Sequence, residues 1–152
     1  MLVYRIDRTK YRESLLLGQG AMINGGRWNH KNTCAVYASS TRALAMLEIL
    51  VHIRSVGLMP KDRIIVTIEI PDKDIVKIAP FLLSSSWNTV PDGPASNKDL
   101  FESEVRLSGK LGMIVPSEVL PQESNYVISP EAKLFAAVKI RNVEPLVWDY
   151  RL

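Results

Sequence analysis

Apolar and polar positions alternate over Leu2-Val-Tyr-Arg-Ile6, the two-residue period of a half-buried strand. A similar short run stands at Ala35–Ser39. Arg63–Ile70 is rich in β-branched residues and predicts the strongest strand of the chain, stopped by Pro71-Asp72. Met113–Val115, Tyr126–Ile128, Leu134–Ile140 and Leu146–Trp148 are further expected strands, and residues 74–83 form a mixed segment with room for a short one. The pattern changes at Arg42–Ser55. Its core, Ala43–Ile53, is apolar almost all round, which predicts a largely buried helix with Gly57 and Pro60 as its stop. The hydroxyls of Ser39, Ser40 and Thr41 are each available as its N-cap. A second helix is expected over Lys98–Leu111, where Leu100, Phe101, Glu104, Val105, Ser108 and Leu111 share a face and Gly112 follows. Residues 8–17 predict a helical turn or loop, Ser84–Asn97 a loop long enough to serve as a lid, and Pro121–Asn125 a loop. No repeat, low-complexity tract or linker divides the chain. The expected architecture is a single α+β domain over residues 1–152, with short mixed and antiparallel strands around a buried central helix.

Composition narrows the function classes. The chain has 152 residues, 47% apolar and 23% charged, as in globular proteins with a real core. Every apolar run is far short of the roughly 18–20 residues that span a bilayer, and the first residues lack the apolar core of a signal peptide. A cytoplasmic location with no membrane partner is the expectation. One cysteine, Cys34, excludes an internal disulfide framework and a multi-cysteine zinc site, and two histidines leave little for a metal centre. A net charge of +3 suits an anionic small molecule, an acidic partner or nucleic acid. Arg5, Arg8, Lys10 and Arg12 could form a basic patch. It lacks the interleaved aromatics of an RNA reader, so a solvated face is expected and no direct nucleic-acid binding.

Candidate chemistry gathers at a few positions. Four of the eight glycines fall within Gly18–Asn29, framing Arg27 and Trp28. Glycine admits positive φ and close ligand approach, and a guanidinium offers a planar fork of donors. The stretch reads equally as an anion-binding corner or a plain turn. Glu48 sits mid-helix among apolar neighbours, where a carboxylate needs a partner. It is either paired with an arginine or with His52 at i+4, or it is a catalytic carboxylate on a rigid element. Tyr37 reads first as a core residue, Ser117 after Pro116 as a turn-forming serine, and Cys34 as a small core residue.

Taken in order, Gly25-Gly-Arg-Trp-Asn29, Val36-Tyr37, Ala43–Glu48, Ile65–Ile70 with Pro71, Val115-Pro-Ser117, Pro121–Asn125 and Trp148–Leu152 resemble the RES domain family, named for its arginine, glutamate and serine. The resemblance runs nearly end to end. It implies an architecture similar to ADP-ribosyltransferase toxins and the toxin half of a bacterial Xre–RES toxin–antitoxin pair, whose toxins consume NAD. By motif position, Arg27, Glu48 and Ser117 take the family's three named roles, and Tyr37 falls where the family keeps a pocket tyrosine. Arg27, Tyr37 and Ser117 are then expected to bind NAD and Glu48 to act in catalysis, with no cofactor and no metal.

The implied reaction is cleavage of the nicotinamide–ribose bond, by a glycohydrolase with water as acceptor or a phosphorylase with inorganic phosphate. The rivals are ADP-ribose transfer to a protein and an antitoxin-docking module without catalysis. An Xre-type helix-turn-helix antitoxin and a homodimer are the partners implied. Three positions depart from the family pattern: Asn32 where a glycine is usual, Ser129 before Pro130 where asparagine is usual, and Lys98–Phe101 in place of a Gly-Asp and a tryptophan.

Overall fold

The computed structural model describes residues 1–53, 60–149 and 151. Its strands are β1 (Leu2–Arg8), β2 (Val36–Ser39), β3 (Arg63–Glu69), β4 (Ile75–Lys77), β5 (Gly112–Pro116), β6 (Ser124–Ile128) and β7 (Lys139–Pro145). They form one mixed sheet in the order β4-β5-β6-β2-β1-β3-β7. Only β4 and β5 run parallel; the other neighbours are antiparallel. β1 and β3 pair over their whole length, from Leu2 opposite Glu69 to Arg8 opposite Arg63. The β1–β2 ladder is a single pair, Tyr4 opposite Ser39. The sheet is therefore two well-paired halves, β4-β5-β6-β2 and β1-β3-β7, joined by a narrow seam.

Side-chain alternation explains the layering. Ile64, Val66 and Ile68, followed by Ile70, point to one face and join Val3, Val36, Leu15, Leu111 and Ile128 in the largest core cluster. The opposite face of β1 and β3 offers Ile6 and Ile65, on which Ala45 of helix α2 (Arg42–Leu50) packs. Helix α3 (Ala95–Phe101) buries Phe101 against Met113, Val115 and Val127 of β5 and β6, together with Trp28. It continues as a π-helical turn over Glu102–Arg106, with Leu107 N–H donating to Glu102 O at 2.9 Å.

The structure revises several local expectations. Of the three hydroxyls before α2, Thr41 is the cap, its Oγ1 accepting from Leu44 N–H at 3.0 Å. α2 ends at Leu50, followed by a turn; residues 54 and 55 of the expected helix, and Gly57, lie outside the described residues. Leu44 and Ala45 are buried while Met46–Leu50 are half-buried; of the latter, Glu48 and Ile49 line cavities. The glycine-rich stretch holds a short helix, α1 (Gln19–Asn24), between Gly18 at φ +66° and Gly25 at φ +71°. Its composition argues against a helix; tertiary contacts supply what propensity withholds. The Asn29 amide donates to Ala21 O at 2.9 Å, and Asn32 N–H to Met22 O at 2.8 Å. Leu134–Ile140 is not a strand. Lys133–Ala137 is a 3-10 helix and β7 starts at Lys139, an exposed and charged edge strand of the kind that resists edge-to-edge pairing. Nor is Leu146–Trp148 a strand: the chain leaves the ladder at Pro145, and the Trp148 indole donates to Pro60 O at 2.9 Å. Asn32 adopts φ +67°, the left-handed geometry expected where the family has glycine.

Candidate active site

Glu48 is held on α2, whose apolar side is seated on β1 and β3, so its carboxylate projects from a fixed element. Among the described residues it pairs with neither an arginine nor His52. Its Oε1 accepts from Ser117 Oγ at 2.8 Å and from Asn125 Nδ2 at 2.5 Å. Ser117 is fully buried at the end of β5. Its Oγ accepts from the N–H groups of Val119 and Leu120, both at 3.1 Å, so the one hydroxyl proton is directed at Glu48. The serine is both the turn-former its sequence predicts and the support beneath the carboxylate.

Two cavities flank Glu48, and Tyr37, His52 and Asn125 border both. One, of about 350 Å³, extends between Gly26, Arg27, Trp28, Asp92 and Glu118. The other, of about 250 Å³, opens at the seam, where Tyr4, Ile6 and Ile49 line it. Arg27 and Glu48 thus border one cavity. Ser117 borders neither; its neighbours Pro116 and Glu118 do.

Arg27 is well engaged within the chain. Nη1 donates to Trp87 O at 3.1 Å and Thr89 O at 3.0 Å, Nη2 donates to Pro91 O at 3.2 Å, and Glu118 forms an ion pair with Nη2. The Ser84–Pro94 loop is therefore latched over the cavity by this arginine. Trp87 from the same loop stacks on Trp28, centroids 6.1 Å apart.

Tyr37 lies on β2 with a half-buried ring and an enclosed hydroxyl. The hydroxyl donates to Asn29 Oδ1 at 2.7 Å and accepts from Trp28 N–H at 3.1 Å. Asn29, fully buried, spends its amide protons on Ala21 O, His30 O and Thr33 O. Burial pushes the Tyr37 phenol well above its usual range, against the smaller opposing effects of the Trp28 hydrogen bond and the Arg27 charge. Because the folded value lies above the unfolded one, the stabilisation from this burial is complete below the unfolded value, 10.0, and is lost as pH rises toward the folded value. In an alkaline titration followed by phenolate absorbance, Tyr37 is expected to ionise only with unfolding, so Tyr37→Phe should remove absorbance from the unfolding step; its loss from the rise that precedes unfolding would contradict this placement.

Sequence reasoning missed Asn125, Ser39, Glu118 and Asn29. Asn29 and Asn125 end the segments Gly25–Asn29 and Pro121–Asn125, and Glu118 follows Ser117, so these three are within reach of the family pattern. Ser39 is a register partner of Asn125 across β2 and β6, a relation that only the sheet reveals. Among the described residues no group of three His, Cys, Asp or Glu side chains is placed to hold a metal ion, and no helix is long and apolar enough to cross a membrane.

Known proteins agree with this architecture. The chain is 36% identical to "Toxin Res" of Yersinia enterocolitica serotype O:8 / biotype 1B over 150 residues, covering 99% of this chain and 97% of that protein. It is 37% identical to the "Prs ADP-ribosylating toxin" of Sphingobium sp. (strain YBL2) over 150 residues, covering 96% and 91%. A chain of the M. tuberculosis MbcT–MbcA toxin–antitoxin complex superposes with a TM-score of 0.77 at 18% identity, over 96% of this chain and 84% of that one, and so shares the fold. The RES domain profile matches residues 2–149, and with these relatives it shows that the chain belongs to the RES domain family.

Proposed function

We propose that this protein is an NAD-consuming toxin that breaks the nicotinamide–ribose bond, and that a cognate antitoxin restrains it. The observation that carries the reading is the Glu48 carboxylate. One of its oxygens is anchored by Ser117 and Asn125, and the group stands between two cavities. When the C1′–N bond breaks, its electron pair goes to the nicotinamide nitrogen and positive charge develops on the ribose. A preorganised carboxylate stabilises that charge. An acceptor oxygen forms the new C1′–O bond, and its proton passes to Glu48 or to solvent.

In this reading the Arg27 cavity receives the pyrophosphate, which takes over the Nη2 donor now held by Glu118. Tyr37 offers its ring face, its hydroxyl being already engaged. Ser117 acts by holding Glu48. The relatives' names support a toxin role, and the fold shared with a chain of a toxin–antitoxin complex supports an antitoxin partner, of the Xre type in the family pattern. A homodimer, a cytoplasmic site of action and independence from any cofactor belong to the same reading.

Three acceptors are compatible with this chemistry. Water makes the protein a glycohydrolase and inorganic phosphate makes it a phosphorylase. A protein side chain makes it an ADP-ribosyltransferase, the activity printed in the name of the Sphingobium relative. Purified protein incubated with NAD, with and without phosphate and with cell extract, resolves them by mass spectrometry of small products and of proteins. The expected result is released nicotinamide with one of the three ADP-ribose products; intact NAD in every arm overturns the proposal.

A further inference from the structure

We infer that Asn125, oriented by Ser39, is a positioning residue that fixes the Glu48 carboxylate so that one oxygen is anchored and the other is left for the reaction. The inference rests on the reading of Glu48 as the working carboxylate.

Hydrogen-bond chemistry sets the direction of every link. An ionised carboxylate can only accept, so the Asn125 atom 2.5 Å from Glu48 Oε1 must be the amide nitrogen. The amide oxygen then faces Ser39, whose Oγ lies 2.8 Å away and must donate. Ser39 is buried and is the register partner of Asn125, so the two side chains emerge side by side on one face of the sheet. The Ser117 proton also goes to Oε1. Both bonds therefore converge on one oxygen, and among the described residues Oε2 makes none. A carboxylate held by a single such bond could rotate and exchange its oxygens. Two donors from different strands, Ser117 at the end of β5 and Asn125 on β6, define its plane. Hydrogen bonds to an ionised group are also the strong kind.

Among the described residues, the other titratable groups that face Glu48 across the two cavities are His52 beyond the end of its own helix, Tyr37 of β2, Tyr4 and Arg5 of β1, and Arg27, Asp92 and Glu118 around the larger cavity. None of them changes in the variants below. Arg5 is already committed, with Nε and Nη2 on Asp7 Oδ2 and Nη1 on Tyr37 O.

The test uses the full chain with Asn125→Ala, Asn125→Asp and Ser39→Ala, and reads Glu48 directly by carbon-detected NMR of its side-chain carboxyl at one fixed pH. Loss of the amide donor is expected to displace the Glu48 carboxyl signal in Asn125→Ala. A larger displacement is expected in Asn125→Asp, which sets a second carboxylate beside it, and a smaller one in Ser39→Ala, where the amide is freed to turn. The kcat of Asn125→Ala falls about tenfold or more, while KM changes little, as expected when a transition-state interaction is lost.

A folded Asn125→Ala with an unmoved Glu48 carboxyl signal overturns the inference. If that variant does not fold, Ser39→Ala decides on the same criterion. Because this signal needs no substrate, it stands even if the wild type leaves NAD intact, the outcome that sinks the proposed function alone.

Discussion

Glu48→Gln is expected to lower NAD consumption by about a thousandfold or more, the scale on which removal of one preorganised electrostatic group acts, while leaving the fold intact. The side chain keeps its length and volume. Its remaining oxygen can still accept from Ser117 Oγ and Asn125 Nδ2, so the anchoring contacts survive. In the proposed reaction, what disappears is the negative charge beside the ribose carbon, and with it the stabilisation of the oxocarbenium-like transition state. An amide now faces the cavity in place of an acceptor. Initial rates of nicotinamide release, with thermal melts of both proteins, check this. A Gln variant that retains substantial turnover would remove Glu48 from the mechanism; a variant that melts far below the wild type would assign it a structural role instead.

Gly26→Ala is expected to destabilise the protein by about 2–3 kcal/mol, the range for forcing an atom into a filled site, and to displace Tyr37 from the cavity wall. A Cβ at Gly26 would lie 2.6 Å from Tyr37 Oη and 2.7 Å from Asn29 Oδ1. Neither neighbour can give. The tyrosine hydroxyl is held by Trp28 N–H and Asn29, and Asn29 is tied by three carbonyls in a fully buried position. Accommodation must break the Tyr37–Asn29 bond or move the loop that carries Arg27. For a domain of this size the expected fall in Tm is about 4–12 °C. Gly20→Ala in α1 is the matched control. Nothing lies within 4 Å of its Cβ, so it should melt with the wild type or slightly above it. Equal melting of the two variants would mean that the Gly26–Tyr37 packing does not exist in solution.

What could be read from the chain divides along physical lines. Arg63–Ile70 and Leu2–Ile6 were legible as strands because their patterns are local and unopposed. The stop of α2 was not, since an apolar pattern continues past Leu50 with no local signal to end the helix. Helix α1 was hidden by its glycines, because the contacts that hold it come from Asn29 and Asn32. In the site, Arg27, Tyr37, Glu48 and Ser117 stood out through the family pattern. Their connections did not. That Glu48 is served by two strands, that Arg27 grips the loop ending near Pro91, and that Ser39 reaches Asn125 are facts of register and burial. A motif names residue types; only the folded sheet fixes which atoms meet.

The single-pair ladder between β1 and β2 bears on how such a protein can be silenced. α2 straps the two half-sheets together. Its underside rests on Ile6 and Ile65, and Arg42 reaches Thr67 of β3 at 3.2 Å. Thr41 Oγ1, just before it, donates to Glu123 at 3.0 Å, and Glu48 is gripped by Ser117 and Asn125 from the other half. The carboxylate thus rides on one half-sheet while its anchors belong to the other. Any load that changes the spacing across the junction pulls donor from acceptor and reshapes the smaller cavity, which opens at the seam. An inhibitor has two mechanical options as a result: to plug the cleft, or to bind across the strap and pry the halves by a few tenths of an ångström.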